Sequence, residues 1–173
     1  IEETKEYIEC DCLLLSVGLI PENELTKKAG IAIDNVTKGA IVDQKRETSV
    51  QGIFACGNVL HVHDLVDYVS DEAETAAIGA VKYIKNEQSI KTDIEVVCDG
   101  KIRYTVPQKI TALEDTTVYF RVADVFKDVQ VAVYADDKLV KKVNKLKVAP
   151  GEMESLKLSV KNFQSKLIPD YLQ

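Results

Sequence analysis

The stretch "TSVQGIFACGN", residues 48–58, decides how the first half of this 173-residue chain is interpreted. Two turn-forming residues precede a short apolar run, and the run stops abruptly at Gly57-Asn58. Short apolar runs bounded by turn signals are typical of buried strands. A terminal glycine lets a ligand approach the backbone closely, because glycine carries no Cβ. The stretch therefore predicts a buried strand that ends at a ligand-accessible turn.

A helix is predicted directly downstream, because valines and alanines recur three and four positions apart over residues 64–86. Two N-terminal caps are possible for this helix. Asp64 could cap it, or Ser70-Asp71 could cap a shorter helix in which Glu74 completes a capping box with Asp71. A helix N-terminus carries unpaired N–H groups and partial positive charge. The strand, the glycine and the helix together allow two interpretations. One is a site for an anion or a nucleotide, and the other is a plain turn in which Asn58 is a turn residue.

The segments upstream of this stretch complete an α/β pattern. The dense apolar run in "YIECDCLLLSVG", residues 7–18, predicts a strand buried on both faces, as in a parallel sheet. Residues 21–30 predict a short helix that stops at Gly30, and residues 31–43 predict a hairpin that turns near Lys38-Gly39. Residues 1–88 are therefore predicted to form an α/β unit.

The pattern changes to a period of two after a polar linker at residues 86–93. Asp99-Gly100 lies between alternating runs and predicts a hairpin over residues 94–106. Further short strands, without a helical stretch, are predicted at residues 116–122, 129–135, 138–143 and 154–160. This spacing predicts a small all-β sandwich over residues 91–173.

Composition narrows the class of protein. The net charge is −6, with −8 in residues 1–90 and +2 in residues 91–173, which argues against nucleic acid as a partner. No apolar run approaches the roughly 20 residues of a membrane span, and the acidic start of the chain is unlike a signal peptide. We expect a cytoplasmic protein whose cysteines are reduced structural thiols rather than metal ligands. These cysteines are Cys10, Cys12, Cys56 and Cys98.

Residues 48–58 resemble the second flavin-binding motif of the pyridine nucleotide-disulfide oxidoreductases, flavoproteins with two dinucleotide-binding domains. Asn58 stands where that family usually has Asp. The family's other marker also occurs upstream, although Glu22-Asn23 departs from its last position. Its matching residues are Asp11, Ser16, Gly18 and Pro21. The resemblance covers about residues 7–86 and implies a partial FAD-binding Rossmann-like unit.

The resemblance also implies residue roles. Gly57 would lie against the flavin ribityl chain, and Asn58 would hydrogen-bond a ribityl hydroxyl or the pyrophosphate. The start of the helix would face the N1–C2=O edge of the flavin, where its N–H groups favour negative charge. The implied cofactor-binding residues are Gly57, Asn58, Val59, Val66, Asp67 and Tyr68. No catalytic residue and no metal site are assigned.

This chain has no Gly-x-Gly-x-x-Gly fingerprint, which the family carries upstream of both markers. The resemblance therefore implies the C-terminal part of an oxidoreductase that passes a hydride from NAD(P)H to FAD and on to an unidentified acceptor. The fragment alone is expected to be inactive and to dimerise or exchange elements through residues 7–60, because its sheet edges are uncovered. The β domain would dock a partner oxidoreductase subunit. The alternative is a non-catalytic interaction module.

Two histidines, a lysine-rich segment and an acidic segment each allow more than one interpretation. His61 and His63 are interpreted mainly as loop histidines, with a metal pair or a proton donor near the flavin as alternatives. The lysine-rich residues 136–147 predict a solvated strand face or, alternatively, a docking patch for an acidic partner. Residues 70–74 are interpreted as acidic residues that complement a helix dipole rather than as paired catalytic carboxylates.

Overall fold

The computed structural model describes residues 1–16, 18–87, 94–111 and 114–167. Its helices are α1 (Glu24–Lys28), α2 (Val66–Ile84) and α3 (Val160–Leu167), and 3-10 turns lie at Glu2–Thr4 and Gly57–Val59. Its strands are β1 (Ile94–Glu95), β2 (Ile102–Val106), β3 (Lys109–Ile110), β4 (Thr116–Val122), β5 (Phe126–Ala135), β6 (Lys138–Val148) and β7 (Glu154–Leu158). Within these described ranges no helix is both long and apolar enough to cross a membrane.

The predicted buried strand over residues 7–18 is wrong for the part that the structure describes, which omits Val17. Residues 7–16 form no strand. Leu13, Leu14 and Leu15 are 72%, 89% and 77% exposed. A strand buried on both faces needs hydrogen-bonded neighbours and covering helices. None of the described segments supplies them, so the apolar run stays in solvent.

The next two predictions are confirmed. The short helix forms as α1, and Gly30 lies in the left-handed region with φ +73° just beyond it. The hairpin closes through a bridge between Ile33 and Ala40. A Cβ added to Gly39 would lie 1.7 Å from the carbonyl oxygen of Leu60, so the hairpin packs directly on the backbone that follows Gly57.

The predicted strand at residues 52–57 is reduced to one bridge, between Phe54 and Glu47. The chain does break where the sequence predicts. Gly57 has φ +73° and opens the 3-10 turn, and the Leu60 N–H donates to its carbonyl oxygen at 2.9 Å. The prediction was wrong about the strand because the parallel neighbours it needs are not supplied by the described residues.

Helix α2 confirms the predicted helix, but both predicted caps are wrong. Leu65 is its N-cap residue and no side chain caps it. The Asp64 carboxylate instead accepts hydrogen bonds from the Arg121 guanidinium and the Met153 N–H. A Cβ on Gly79 would lie 2.5 Å from the Lys45 carbonyl oxygen, so α2 packs closely on the loop that precedes residue 48.

The β region contains three antiparallel sheets, with orders β1-β3, β2-β4-β7 and β5-β6. Asp99-Gly100 forms the predicted turn, but the hairpin over residues 94–106 is wrong, because β1 pairs with β3 and β2 pairs with β4. The four later strands are confirmed as β4 to β7. Helix α3 was missed. The coarse class, a mixture of α-helices and β-strands, is confirmed, whereas the sandwich and the Rossmann-like unit stay predictions.

Two hydrophobic clusters hold the described residues together. The larger one joins β3, β4, β6, β7 and α3 through Ile110, Val118, Phe120, Val122, Val140, Val148, Leu156, Leu158 and Phe163. The smaller one contains Val106 of β2 together with Ile31, Ala40, Val42 and Leu60. Strand β2 therefore contributes to the core of the first half. The predicted linker falls mostly on residues 88–93, outside the described residues, and the division at residues 88–91 stays a prediction.

Candidate functional site

A fully buried carboxylate lies at the centre of the first half. Glu72 Oε1 accepts from Arg46 Nε at 3.0 Å and lies 3.2 Å from His61 Nε2. Glu72 Oε2 accepts from the Gly57 N–H at 2.8 Å and lies 2.8 Å from His63 Nε2. We call Arg46, Gly57, His61, His63 and Glu72 the Glu72 cluster. It joins the loop at residue 46, the 3-10 turn and α2 in one hydrogen-bonded network.

The charges in the Glu72 cluster compensate one another. Burial raises the pKa of the Glu72 carboxyl, but hydrogen bonds from His61 and His63 and the charge of Arg46 outweigh it and hold that pKa well below its usual range. Burial lowers the pKa of His61, and the neighbouring carboxylate only partly opposes this. At neutral pH the cluster therefore contains an anionic Glu72, a cationic Arg46 and a neutral His61. A buried ion pair is tolerated only when such hydrogen bonds satisfy it.

His61 and His63 lie in a loop, as interpreted, but not at the surface. They are 1% and 8% exposed, and their rings lie 4.2 Å apart between centroids. The interpretation of residues 70–74 as dipole-complementing acids is wrong for Glu72, which turns inward. One signal could have located it: Glu72, Ala76 and Gly79 share one face of α2 at helical spacing, and that face is the buried one.

The cluster has the composition of a metal site, since ligand atoms of His61, His63 and Glu72 lie within 4.8 Å of one another. Two observations favour hydrogen bonding instead. Arg46 already donates to the carboxylate, and a metal-bound histidine normally donates its second ring N–H to an acceptor. Nδ1 of both histidines is buried without a partner among the described residues. The geometry fits two imidazoles whose Nε2–H groups donate to the Glu72 carboxylate.

The predicted cofactor residues of the turn lie beside this cluster. Gly57 is buried and its N–H is used by Glu72, whereas Asn58 is exposed. Asn58 Oδ1 accepts from the His63 N–H at 3.1 Å, and Nδ2 of this exposed residue has no hydrogen-bond partner among the described residues. The carbonyl oxygen of Val59 accepts from Asn23 Nδ2 at 2.8 Å. Asn23 lies where the upstream marker departs from the family pattern, and its buried amide ties the start of α1 to this turn.

The remaining predicted residues, Val66, Asp67 and Tyr68, form the first turn of α2. Val66 is 75% exposed and the first turn has no side-chain cap, so its N–H groups are open to a ligand. The Tyr68 ring packs 6.0 Å from the Tyr119 ring. The first predicted group therefore lies in the turn that Glu72 contacts, and the second lies at the start of the helix that carries Glu72. Their role with a cofactor stays a prediction.

Comparison with known proteins shows the class of the first half. Residues 1–79, which contain both motifs and every predicted cofactor residue, match the sequence profile of the family described as "Pyridine nucleotide-disulphide oxidoreductase". The match covers somewhat less than half of the chain and makes its first half similar to that family. The resemblance seen in the sequence is thereby confirmed.

Curated relatives agree with this family. A ferredoxin–NADP reductase of Leuconostoc mesenteroides is 28% identical over 97 residues, 53% of this chain and 29% of that protein. A dihydrolipoyl dehydrogenase of Manduca sexta is 38% identical over 78 residues, 43% of this chain and 15% of that protein. An NADH-rubredoxin oxidoreductase of Clostridium acetobutylicum is 25% identical over 120 residues, 63% and 31% of the two chains. The chain spans less than a third of each of these relatives.

Proposed function

We propose that residues 1–88 are the C-terminal part of a FAD-dependent oxidoreductase that takes a hydride from NAD(P)H and passes it to an unidentified acceptor. The observation that carries the proposal is the family match over residues 1–79, which includes the Gly57-Asn58 turn. The names of two relatives support the choice of donor, since one contains NADP and another NADH. The relatives' acceptors differ, so the acceptor is not taken from them.

The residues present fit a bound flavin. The open N–H groups at the start of α2 suit a carbonyl oxygen or developing negative charge. Because the Oδ1 of Asn58 is already occupied by His63, this side chain would act as a donor, to a ribityl or phosphate oxygen. An Asp at this position would offer only acceptors. When bound, FAD supplies the capacity to accept a hydride and to release its electrons.

The Glu72 cluster supports the proposal as a positioning device. The cluster fixes Gly57, whose left-handed backbone suits glycine, and holds the following loop against α2. The turn that carries Asn58 and the helix that begins at Val66 are thereby fixed to each other. We infer that the cluster sets the distance between the two flavin-contacting groups and takes no part in hydride transfer.

Exposed apolar surface supports a longer parent protein. The apolar run at residues 13–15 is open to solvent, as are Leu19, Ile20 and the outer face of α2 at Val66 and Ile84. A soluble domain rarely exposes contiguous apolar surface unless another part covers it. We propose that a pyrophosphate-binding unit of the same protein covers these residues. Without that unit, the fragment would bind little FAD and would pair with a second copy through residues 7–60.

The β domain is proposed to serve a partner. It follows the family-matched region, and β6 presents several exposed lysines, among them Lys138, Lys142 and Lys147. An acidic partner oxidoreductase subunit would complement them.

The proposal is tested on the natural full-length protein that contains this sequence. We expect the purified protein to be yellow, to release FAD on heat denaturation and to lose its visible flavin absorbance when NADH or NADPH is added without oxygen. The expected change is stoichiometric with the flavin. A colourless full-length protein that takes up no added FAD would contradict the proposal and would favour the interaction module.

A further inference from the structure

A cavity of about 580 Å³ lies where α2 meets strands β4 and β7. It is bounded by the first two turns of α2, by polar positions of both strands and by one lysine of β6. The rings of Tyr68 and Tyr119, which pack against each other, form part of its wall. Its volume is in the range of small-molecule sites in proteins. It is distinct from Asn58, which does not line it.

Arg46 is the unusual residue in this cavity. Its side chain is 3% exposed and lines the cavity. Arg46 Nε is held by Glu72, and Nη1 lies 3.5 Å from the Gln44 carbonyl oxygen, which is long for a hydrogen bond. Arg46 Nη2 has no hydrogen-bond partner in the described part of the chain. Because Arg46 lines the cavity and Nη2 has no protein partner there, its N–H donors are available to a ligand that supplies acceptors.

The other charged side chains at the cavity are of both signs. Lys141 and Lys157 add two cations to Arg46, and Asp71 and Asp115 supply two carboxylates. Asp115 is already engaged, because its Oδ1 accepts from the Val160 N–H at 2.8 Å. Glu72 balances the charge of Arg46, so the positive charge that attracts an anion comes from Lys141 and Lys157, and Asp71 and Asp115 oppose it.

We propose that this cavity binds a small organic anion whose carboxylate or phosphate group pairs with the Nη edge of Arg46, while Lys141 and Lys157 neutralise it at the mouth. The planar guanidinium presents two N–H donors side by side, which matches the two oxygens of a carboxylate or a phosphate. Tyr68 and Tyr119 offer an apolar wall to the rest of the molecule. The inference uses residues of this chain alone and does not depend on flavin binding.

The test titrates the 173-residue chain with inorganic phosphate and, separately, with succinate, at constant ionic strength, by isothermal calorimetry. We expect saturable binding of at least one probe. The Lys141→Ala/Lys157→Ala double variant should bind that probe about tenfold more weakly, as expected for losing charge-assisted contacts. The control is Lys142→Ala/Lys147→Ala, which removes the same charge from exposed positions that do not line the cavity.

The result distinguishes the two head groups, because preference for phosphate indicates a phosphorylated ligand and preference for succinate a carboxylic acid. Either preference supports the site if only the cavity variant weakens it. Absence of saturable binding of both probes up to about 20 mM, a concentration at which a site of millimolar affinity is mostly occupied, overturns the proposal. Equal weakening by both double variants also overturns it, since binding would then follow net charge alone.

Discussion

The apolar run at residues 13–15 and the Glu72 cluster are opposites in composition and in burial. Leu13, Leu14 and Leu15 are large apolar side chains that are exposed, whereas Glu72, together with Arg46 and two histidines, is almost completely buried. Residue type alone would predict the reverse. The difference shows that burial in this chain follows the availability of partners.

Each region has a physical reason for its position. The charged cluster is buried because four donors surround one carboxylate and an arginine balances its charge. The leucines are exposed because the described residues provide no sheet and no helix face to cover them. Residues of this chain supply the partners of the Glu72 carboxylate. The proposal above is that another unit of the parent protein covers the leucines.

Breaking the buried cluster should have the largest effect. Glu72→Gln removes the charge that balances Arg46, and we expect it to lower the free energy of unfolding by about 3–5 kcal/mol. Glu74→Gln, on the exposed side of the same helix, should change it by less than about 0.5 kcal/mol. Urea denaturation of both variants measures this. Equal, small effects would show that Glu72 is not the charge that organises the fold.

A second contact crosses between the two halves. The Arg121 guanidinium donates to Tyr104 Oη, to the Asp64 carboxylate and to the Val62 and Pro150 carbonyl oxygens. We expect Arg121→Ala to lower the free energy of unfolding by about 1.5–3 kcal/mol.

Arg103→Ala provides the matched control for Arg121, because Arg103 is exposed on the neighbouring strand β2. Limited proteolysis should cut the Arg121 variant faster between the halves, and the control should resemble the unmodified chain. Identical cleavage of both variants would show that the contact does not join the halves.

Acid should weaken the charged cluster in two stages. The pKa of His61 is lowered from 6.5 by burial, so the unfolded chain binds more protons and stability falls as the pH drops below about 6.5. The pKa of Glu72 is lowered from 4.5 by its hydrogen bonds and by Arg46, despite the opposing effect of burial. A further loss therefore begins below about pH 4.5.

The acid prediction is checked by measuring the free energy of unfolding as a function of pH. Arg46, His63 and Glu72, which face His61, are not mutated in this experiment. His61→Asn should reduce the loss in the upper stage. Stability that stays constant or rises on acidification through this window would contradict the assigned protonation states.

Substitution of an exposed leucine should have the smallest effect on the free energy of unfolding. Leu14→Lys should change the free energy of unfolding of this chain by less than about 0.5 kcal/mol, because Leu14 has no packing to lose. It should also reduce self-association, measured by size-exclusion chromatography. A large loss of stability would show that the run is packed in solution and would remove the contrast between the two regions.

Local patterns predicted the elements that depend on neighbours in sequence. The spacing of apolar residues located α2, and the alternation in residues 116–122 located β4 to the residue. Pairing was harder, because Asp99-Gly100 encodes a turn but not the partners of the strands beside it. β1 pairs with β3 and β2 pairs with β4, so the two strands do not pair with each other. The run at residues 13–15 was mispredicted because burial on two faces depends on other segments.

The site residues also differ in how far the sequence predicts them. Gly57 and Asn58 were identified because their motif is contiguous, and the family match confirms the class of protein to which it belongs. The Glu72 cluster was not identified, since Arg46 and Glu72 are 26 residues apart and each is of a residue type that is usually exposed. Only the shared face of Glu72, Ala76 and Gly79 on α2 signalled it.

The flavin content of the natural full-length protein carrying Asn58→Ala tests the central claim most directly. The control is Asn35→Ala, an exposed asparagine in the hairpin turn. If the Gly57-Asn58 turn holds the cofactor, the Asn58 variant should retain less FAD per polypeptide than the control, at equal thermal stability. Equal FAD content in the two variants would contradict the assignment of this turn to the flavin.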